Sequence, residues 1–60
     1  MTEEMRAHTL WMLRTSVGQL RHLYQNLIRE GKRGLADGIL SYEIIRLERL
    51  IAKLEAQTDT

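Results

Sequence analysis

The sequence predicts an all-α fold, an antiparallel helical hairpin with a longer first helix that dimerises into a four-helix bundle. Two segments carry apolar residues in alternating steps of three and four, which places each set along one side of an α-helix. The first stripe comprises Leu10, Leu13, Val17, Leu20, Tyr24 and Leu27, and the second comprises Leu40, Ile44, Leu47, Ile51 and Leu54. A glycine-rich stretch, 31–38, separates them, and the chain has no proline to interrupt either helix.

The first helix is predicted to run from about residue 3 to residue 30. Thr2 is a suitable N-cap because its hydroxyl can accept a hydrogen bond from a backbone N–H. Glu3 and Glu4 follow in the first turn, where the helix dipole favours negative charge. Gly31 is a suitable residue just past the C-terminus, since glycine readily adopts the left-handed conformation that ends many helices.

One position, Gly18, could interrupt this helix. Glycine disfavours a helix interior by about 1 kcal/mol, and Ser16 with Gln19 resembles a capping box. The apolar stripe nevertheless keeps the same phase before and after Gly18. A chain that broke and reversed there would have no reason to keep that phase, so the sequence predicts one continuous helix.

The second helix is predicted to run from about residue 38 to residue 57, after a turn over 31–37 and before a frayed end at 58–60. Asp37 is the expected N-cap, and Ser41 is a later alternative. At the standard helical rise, the second helix would be roughly 30 Å long and the first roughly 42 Å. Roughly the first ten residues are therefore expected to project beyond the second helix.

Size and composition indicate that one hairpin is not the working unit. Sixty residues allow a single domain, and domains this small commonly depend on disulfides, a metal or a partner. The chain has no cysteine, which excludes disulfides and thiolate metal sites. Leu23 and Ile28 widen the first stripe, and Ile39 and Leu50 widen the second, as in bundles of three or four helices. We therefore expect a homodimer, a complex with a larger protein, or both.

The charge balance argues against several classes of partner. Nine Lys and Arg against eight Asp and Glu leave a net charge of +1, which does not indicate a nucleic-acid partner. The longest apolar run is too short to span a membrane, and the acidic start, 1–4, does not suit a signal peptide. A cytoplasmic location is the resulting expectation.

No catalytic, cofactor or metal motif is evident in the sequence, so we expect a protein without enzymatic activity or a cofactor. Ser16 and Ser41 have no evident histidine–carboxylate relay. The glycines of 31–34 lack the spacing of a phosphate-binding loop. The three methionines and His8 share one side of the first helix and could bind copper(I), but such spacing arises easily by chance.

The candidate functional residues form a contact surface that lies mostly away from the two stripes. Trp, Tyr and Met are favoured at protein interfaces, and Met suits adaptable ones. One group comprises residues at the projecting start of the first helix together with the arginines that follow it. The other group lies on the back of the second helix. The predicted interface comprises Met5, Leu10, Trp11, Met12, Arg14, Arg21, Tyr42 and Ile45. The alternative is that these are scattered surface residues without a common role.

A row of arginines offers an alternative function. Arg14 and Arg21, with Arg29 nearby, lie on one side of the first helix and could bind RNA phosphates in a hairpin dimer. The same row could instead be a solvent-exposed flank or the rim of a protein contact. Steep weakening of RNA affinity by salt would distinguish phosphate binding from protein binding.

From Leu20 to Leu54 the chain resembles the small two-helix phosphatases of sporulation, which act on aspartyl-phosphate in response regulators. The likeness rests on Leu20-Arg21, Leu27-Ile28 and Leu47-Glu48-Arg49-Leu50-Ile51. It implies a two-helix fold and a role as a phosphorelay regulator, which is a second alternative function. The chain lacks that family's S-x-x-L-D signature, because the matching stretch is Ile44-Ile45-Arg46-Leu47-Glu48. Likeness of architecture does not carry function, and no family is assigned on it.

Overall fold

A computed structural model of the chain describes residues 2–57, which form two antiparallel helices joined by a tight turn. Helix α1 is Glu3–Arg29, 27 residues long. Helix α2 follows in three consecutive segments: an α-helical turn at Arg33–Leu35, a π-helical turn at Ala36–Leu40 and an α-helix at Ser41–Ala56. The hairpin is a rod of 45 × 15 × 12 Å. The prediction of an all-α hairpin with a longer first helix is confirmed.

The N-terminus of α1 is capped as the sequence predicts. The hydroxyl oxygen of Thr2 accepts a hydrogen bond of 3.1 Å from the backbone N–H of Met5. This bond satisfies one of the N–H groups that a helix start leaves without a partner in the helix. Glu3 and Glu4 lie in the first turn, where the helix dipole stabilises their charge. The helix then continues through Gly18, which confirms the prediction of one unbroken helix.

The C-terminus of α1 is closed at Gly31, also as predicted. Gly31 has a φ of +80°, in the left-handed region that side chains with a Cβ rarely adopt. The Gly31 N–H donates to the carbonyl of Ile28 at 3.0 Å, and the Lys32 N–H donates to the carbonyl of Leu27 at 2.8 Å. These two bonds form a Schellman motif, which satisfies the last carbonyls of the helix and turns the chain sharply.

The start of α2 differs from the prediction. A turn over 31–37 with an N-cap at Asp37 was expected, but α2 begins at Arg33 and Asp37 lies inside the helix. The Schellman motif reverses the chain within so few residues that those after Lys32 can already pack against α1. Burial of Ala36, which is 0% exposed, and the longer contact with α1 offset the cost of glycines within the helix, about 1 kcal/mol each.

Hydrogen bonds around Asp37 hold the turn end of the hairpin together. The hydroxyl of Tyr24 donates to the Asp37 carboxylate and so ties α1 to α2. The hydroxyl of Ser41 donates to the backbone carbonyl of Asp37. Asp37 therefore links the two helices and does not act as the predicted N-cap, and the alternative N-cap, Ser41, also lies within the helix.

Helix α2 covers more of α1 than the sequence predicted. Because it starts at Arg33, it is roughly 36 Å long at the standard rise. Near its C-terminal end, the Leu54 carbonyl oxygen lies 3.5 Å from Nη1 of Arg6. Leu10, which was expected to project beyond α2, is only 7% exposed. The predicted projection of roughly the first ten residues is therefore wrong, because α2 reaches back as far as Arg6. The predicted frayed end, 58–60, lies outside the described residues.

The seam between the helices holds a thin core. Its buried side chains are Leu10, Val17, Ala36 and Leu47, and among residues 2–57 no large side chain is completely buried. The other residues of the two stripes remain partly exposed. Two helices shield only a narrow seam, whereas wider apolar stripes need additional helices to cover them. A single hairpin therefore leaves much of the width of both stripes in contact with water.

Candidate protein-protein interface

The two sides of the seam differ in their chemistry. Each helix follows a heptad repeat, with Leu10 in an a position of α1 and Ile44 in an a position of α2. In an antiparallel pair the e positions of both helices line one side of the seam and the g positions line the other. The e positions include two arginines of α1 and two glutamates of α2, whereas most g positions are uncharged. One side is therefore suited to ion pairing and the other to apolar contact.

Two ion pairs join the helices along the e side, which we call the charged flank. Arg14 donates to the Glu55 carboxylate, and Arg21 donates to the Glu48 carboxylate. The four side chains are about half exposed, between 44% and 57%. Exposed ion pairs of this kind each contribute about 0–1 kcal/mol, so their main effect is on the register of the two helices. The arginines and glutamates of the charged flank are thus paired with each other within a single chain.

Five large apolar side chains stay exposed along the opposite side, at g positions and at the neighbouring c positions. We call this set the apolar flank. It comprises Met5, Met12, Leu23, Ile39 and Leu50, which are 58%, 52%, 47%, 61% and 37% exposed. It adjoins the partly exposed stripe residues Leu13 and Leu20 of α1. The apolar surface of the seam therefore continues outward on this side.

Charge is absent from the part of the apolar flank that α1 provides. The seven c and g positions from residue 5 to residue 26 are Met5, Thr9, Met12, Ser16, Gln19, Leu23 and Asn26. An uncharged helix surface of this length can approach another protein without burying an unpaired charge, which is a costly event in recognition. This surface has the composition expected of a helix that contacts a further helix.

An ion pair within α2 borders the apolar flank. Arg46 donates to both carboxylate oxygens of Glu43, from Nε at 3.4 Å and from Nη2. The hydrogen bond from Arg46 holds the pKa of the Glu43 carboxyl below its usual range. Glu43 therefore remains charged and paired at neutral pH. Paired charges at the edge of an apolar surface are typical of the rim of an interface.

The structure divides the predicted interface residues among different surfaces. Met5 and Met12 lie on the apolar flank and are exposed, as an interface requires. Leu10 lies in the hairpin's own core, because α2 extends far enough to cover it. The prediction that Leu10 projects beyond the second helix is therefore wrong.

Trp11 lies apart from the methionines with which the sequence analysis grouped it. Its helical position is about 100° away from that of Met12. The Trp11 ring is 64% exposed and stacks on His8, with ring centroids 6.3 Å apart and an interplanar angle of 20°. Tyr42 and Ile45 are exposed by 74% and 46%, also away from the apolar flank.

The arginines predicted to contact a partner or RNA lie on the charged flank. Arg14 and Arg21 are paired with glutamates of α2, which neutralises two of the three cations on which the RNA alternative depends. The stretch that matches the phosphatase signature also lies along the seam. Its Leu47 is buried, and its Glu48 is paired with Arg21. Neither alternative gains support from this geometry.

Two features of the site were missed by the sequence analysis. Leu23, Ile39 and Leu50 were interpreted only as widening the stripes, although the lack of charge at the g and c positions of α1 marks that flank as a contact surface. Arg6 was not considered, yet its side chain is only 11% exposed, pairs with Glu3 and approaches the C-terminal end of α2. A cation is favourable at a helix C-terminus.

Comparisons with models of known protein families, with curated proteins and with solved structures each find no match for this chain. Within residues 2–57, neither helix has the length and apolar character needed to cross a membrane. The same part of the chain contains no group of three or more His, Cys, Asp or Glu side chains placed to hold a metal ion. The surfaces of the hairpin are therefore the features that bear on function.

Proposed function

We propose that this protein is a small, non-enzymatic interaction module that acts as a homodimer. Two hairpins pack through their apolar flanks and form a four-helix bundle. The observation that carries this proposal is the apolar flank itself: five large apolar side chains lie exposed beside a core in which only Leu10, Val17, Ala36 and Leu47 are buried. A second copy would cover this surface and complete the core.

The amount of apolar surface is sufficient for association. Complete burial of a Leu, Ile or Met side chain is worth about 1.5–3 kcal/mol. Each protomer offers five such side chains that are 37% to 61% exposed, so a dimer can cover ten. The loss of translational and rotational freedom on association opposes this gain by an estimated ~4–15 kcal/mol. Burial on this scale can offset that cost, and the partly exposed stripe residues add to it.

The distribution of charge favours a symmetric arrangement. In a twofold dimer both copies use the same surface, so every charge in it is buried twice, and a charge close to the twofold axis meets its own counterpart. The α1 part of the apolar flank has no charge between residues 5 and 26, so two copies can approach there without repulsion. The charged flank is occupied by ion pairs within each chain, which directs association to the other side.

Sedimentation equilibrium with interference optics tests the proposal. The wild-type protein is expected to have a mass of about twice 7.0 kDa at micromolar concentration. The double variant Leu23→Gln/Leu50→Gln is expected to raise the dissociation constant by at least about tenfold, because it places polar groups in the apolar flank. A matched control, Trp11→Gln/Ile45→Gln, removes one exposed apolar side chain from each helix outside that flank.

The control variant is expected to remain as dimeric as the wild-type protein. A wild-type mass that stays at 7.0 kDa over the whole concentration range would contradict the proposal. Dissociation of the control pair, with no effect of the flank pair, would also contradict it. Circular dichroism of all three proteins checks that each is still helical.

A further inference from the structure

One aromatic and three basic side chains form a row along the outer face of α2, which we call the outer stripe. It comprises Tyr42, Arg46, Arg49 and Lys53. Steps of four, three and four residues place them above one another on a single helix face. Tyr42 is 74% exposed, and the Arg46 side chain is 61% exposed. The outer stripe is therefore open to solvent along the length of the helix.

Apolar side chains border the outer stripe on both sides. Ile45 is 46% exposed and Leu50 is 37% exposed. Together with Glu43 and the outer stripe, they line a shallow groove of about 520 Å³. Tyr and Arg are enriched among the residues that contribute most of the binding energy at protein interfaces.

The groove carries an excess of positive charge. Three cations and one carboxylate line it, which leaves a formal charge of +2. Arg46 is paired with Glu43, but within residues 2–57 neither Arg49 nor Lys53 forms an ion pair. The other glutamates of Ser41–Ala56 are directed to the charged flank, where they meet arginines of α1. Two of the three carboxylates of Ser41–Ala56 thus lie on the charged flank, and Arg49 and Lys53 remain available on the outer face.

We propose that the outer stripe is the docking site for an acidic amphipathic peptide segment of a partner protein. Carboxylates of the segment would pair with Arg49, Lys53 and Arg46, and the planar guanidinium groups can bind carboxylates in a bidentate manner. Apolar side chains of the segment would contact Tyr42 and Ile45. This inference rests on the proposed function, since it names the class of partner that the interaction module binds. The groove shares Leu50 with the apolar flank, but Tyr42 and Ile45 lie outside that flank and stay exposed in a dimer formed through it.

Nucleic acid fits this groove less well than an acidic peptide. Binding to phosphates needs cations but gains nothing from aliphatic side chains beside them. Ile45 lies directly next to the outer stripe and outside the apolar flank, and contact with an apolar side chain would remove it from water. An acidic segment with leucines among its carboxylates matches both parts of the surface.

Fluorescence anisotropy with a labelled model peptide tests the inference. The probe is a peptide of Glu, Leu and Ala with 16 residues, the length of Ser41–Ala56. It is expected to bind saturably and to bind more weakly as salt is added, because salt screens exposed charges. The same peptide with Gln in place of Glu is expected to bind at least about tenfold more weakly.

Matched variants locate the binding site. Arg49→Gln/Lys53→Gln is expected to weaken binding of the acidic peptide by at least about tenfold. The control, Arg29→Gln/Lys32→Gln, removes one arginine and one lysine away from the groove and is expected to leave binding within about twofold of the wild type. Equal losses for the two variants would overturn the inference, as would tighter binding of an oligouridine RNA than of the acidic peptide.

The outcomes also separate this inference from the proposed function. Sedimentation equilibrium is expected to find the Arg49→Gln/Lys53→Gln variant as dimeric as the wild type. A wild-type protein that dimerises but does not bind the acidic peptide overturns the docking site and leaves the homodimer in place. A monomeric protein that still binds the peptide through the outer stripe overturns the homodimer and supports the docking site.

Discussion

Replacing Gly18 by alanine should stabilise the protein. Gly18 lies in the interior of α1, where glycine is less favourable than alanine by about 1 kcal/mol. A Cβ added at this position would meet no side chain or distant backbone of residues 2–57 within 4 Å. The added methyl group therefore has no steric cost within the hairpin. Alanine also reduces the conformational freedom of the unfolded chain, which further favours the folded state.

The expected gain of about 1 kcal/mol is measurable because the domain is small. A change of this size shifts the midpoint of thermal unfolding by roughly 4–8 °C in a domain of 60–100 residues. Thermal unfolding followed by circular dichroism at 222 nm, a general helix signal, measures the shift. The wild type and the variant must be compared at equal protein concentration, since the proposed dimerisation would make the midpoint depend on concentration.

The same substitution at Gly31 provides a control with the opposite sign. Gly31 has a φ of +80°, a conformation that costs a residue with a Cβ about 1–2 kcal/mol. Gly31→Ala should therefore lower the midpoint while Gly18→Ala raises it. A lower midpoint for Gly18→Ala would refute the reasoning. It would mean that another chain packs closely over Gly18, on the back of α1, and not on the apolar flank.

Other predictions follow from the core, the turn and Trp11. Leu47→Ala should lower the free energy of unfolding by about 2–5 kcal/mol, and exposed Leu50→Ala by less, in urea denaturation; equal losses would contradict the burial pattern. The hydrogen bond to Asp37 raises the pKa of Tyr24 above its ordinary value of 10.0. The free energy that this bond contributes to folding is fully present below pH 10.0 and is lost as the pH rises through the raised pKa of Tyr24. In Tyr24→Phe, the free energy of unfolding should therefore depend less on pH in the alkaline range. Trp11 fluorescence should keep the same emission maximum on dilution, because its ring lies outside the apolar flank; a red shift would place it in the interface.

The local features of the hairpin could be predicted from the sequence because they depend on neighbouring residues. The 3-4 repeat of apolar residues identifies both helices. Thr2 and Gly31 mark the ends of α1 through their own hydrogen bonding and backbone freedom. The continuity of the helix through Gly18 followed from the phase of the stripe on either side.

The start of α2 could not be predicted in the same way. The two glycines at 34 and 38 and the cations beside them have the composition of a loop. Their helical conformation depends on the burial of Ala36 and on contact with α1, which are tertiary effects. The π-helical turn at Ala36–Leu40 has no clear sequence signature either.

The error at this turn also affected the candidate site. The length of the turn sets the register of α2 on α1, and the register decides which side chains meet. In the observed register Arg14 reaches Glu55 and Arg21 reaches Glu48. Without that register, Arg14 and Arg21 were interpreted as a solvent-exposed row or as contacts to a protein or RNA, and Leu10 as lying beyond the reach of the second helix. The apolar flank could be identified only from the structure, in which the two ion pairs define the charged flank on the opposite side of the seam.

The tight turn has a consequence for how the protein can be connected to other molecules. Because α1 and α2 are antiparallel, Thr2 and Gln57 lie at the same pole of a rod 45 Å long, and the other pole holds only the turn. If two copies align with these poles together, Thr2 and Gln57 of both copies gather at one pole, and anything attached beyond them is held side by side. If the copies run in opposite directions, the attached bodies are held about 45 Å apart, and the bundle acts as a strut between them.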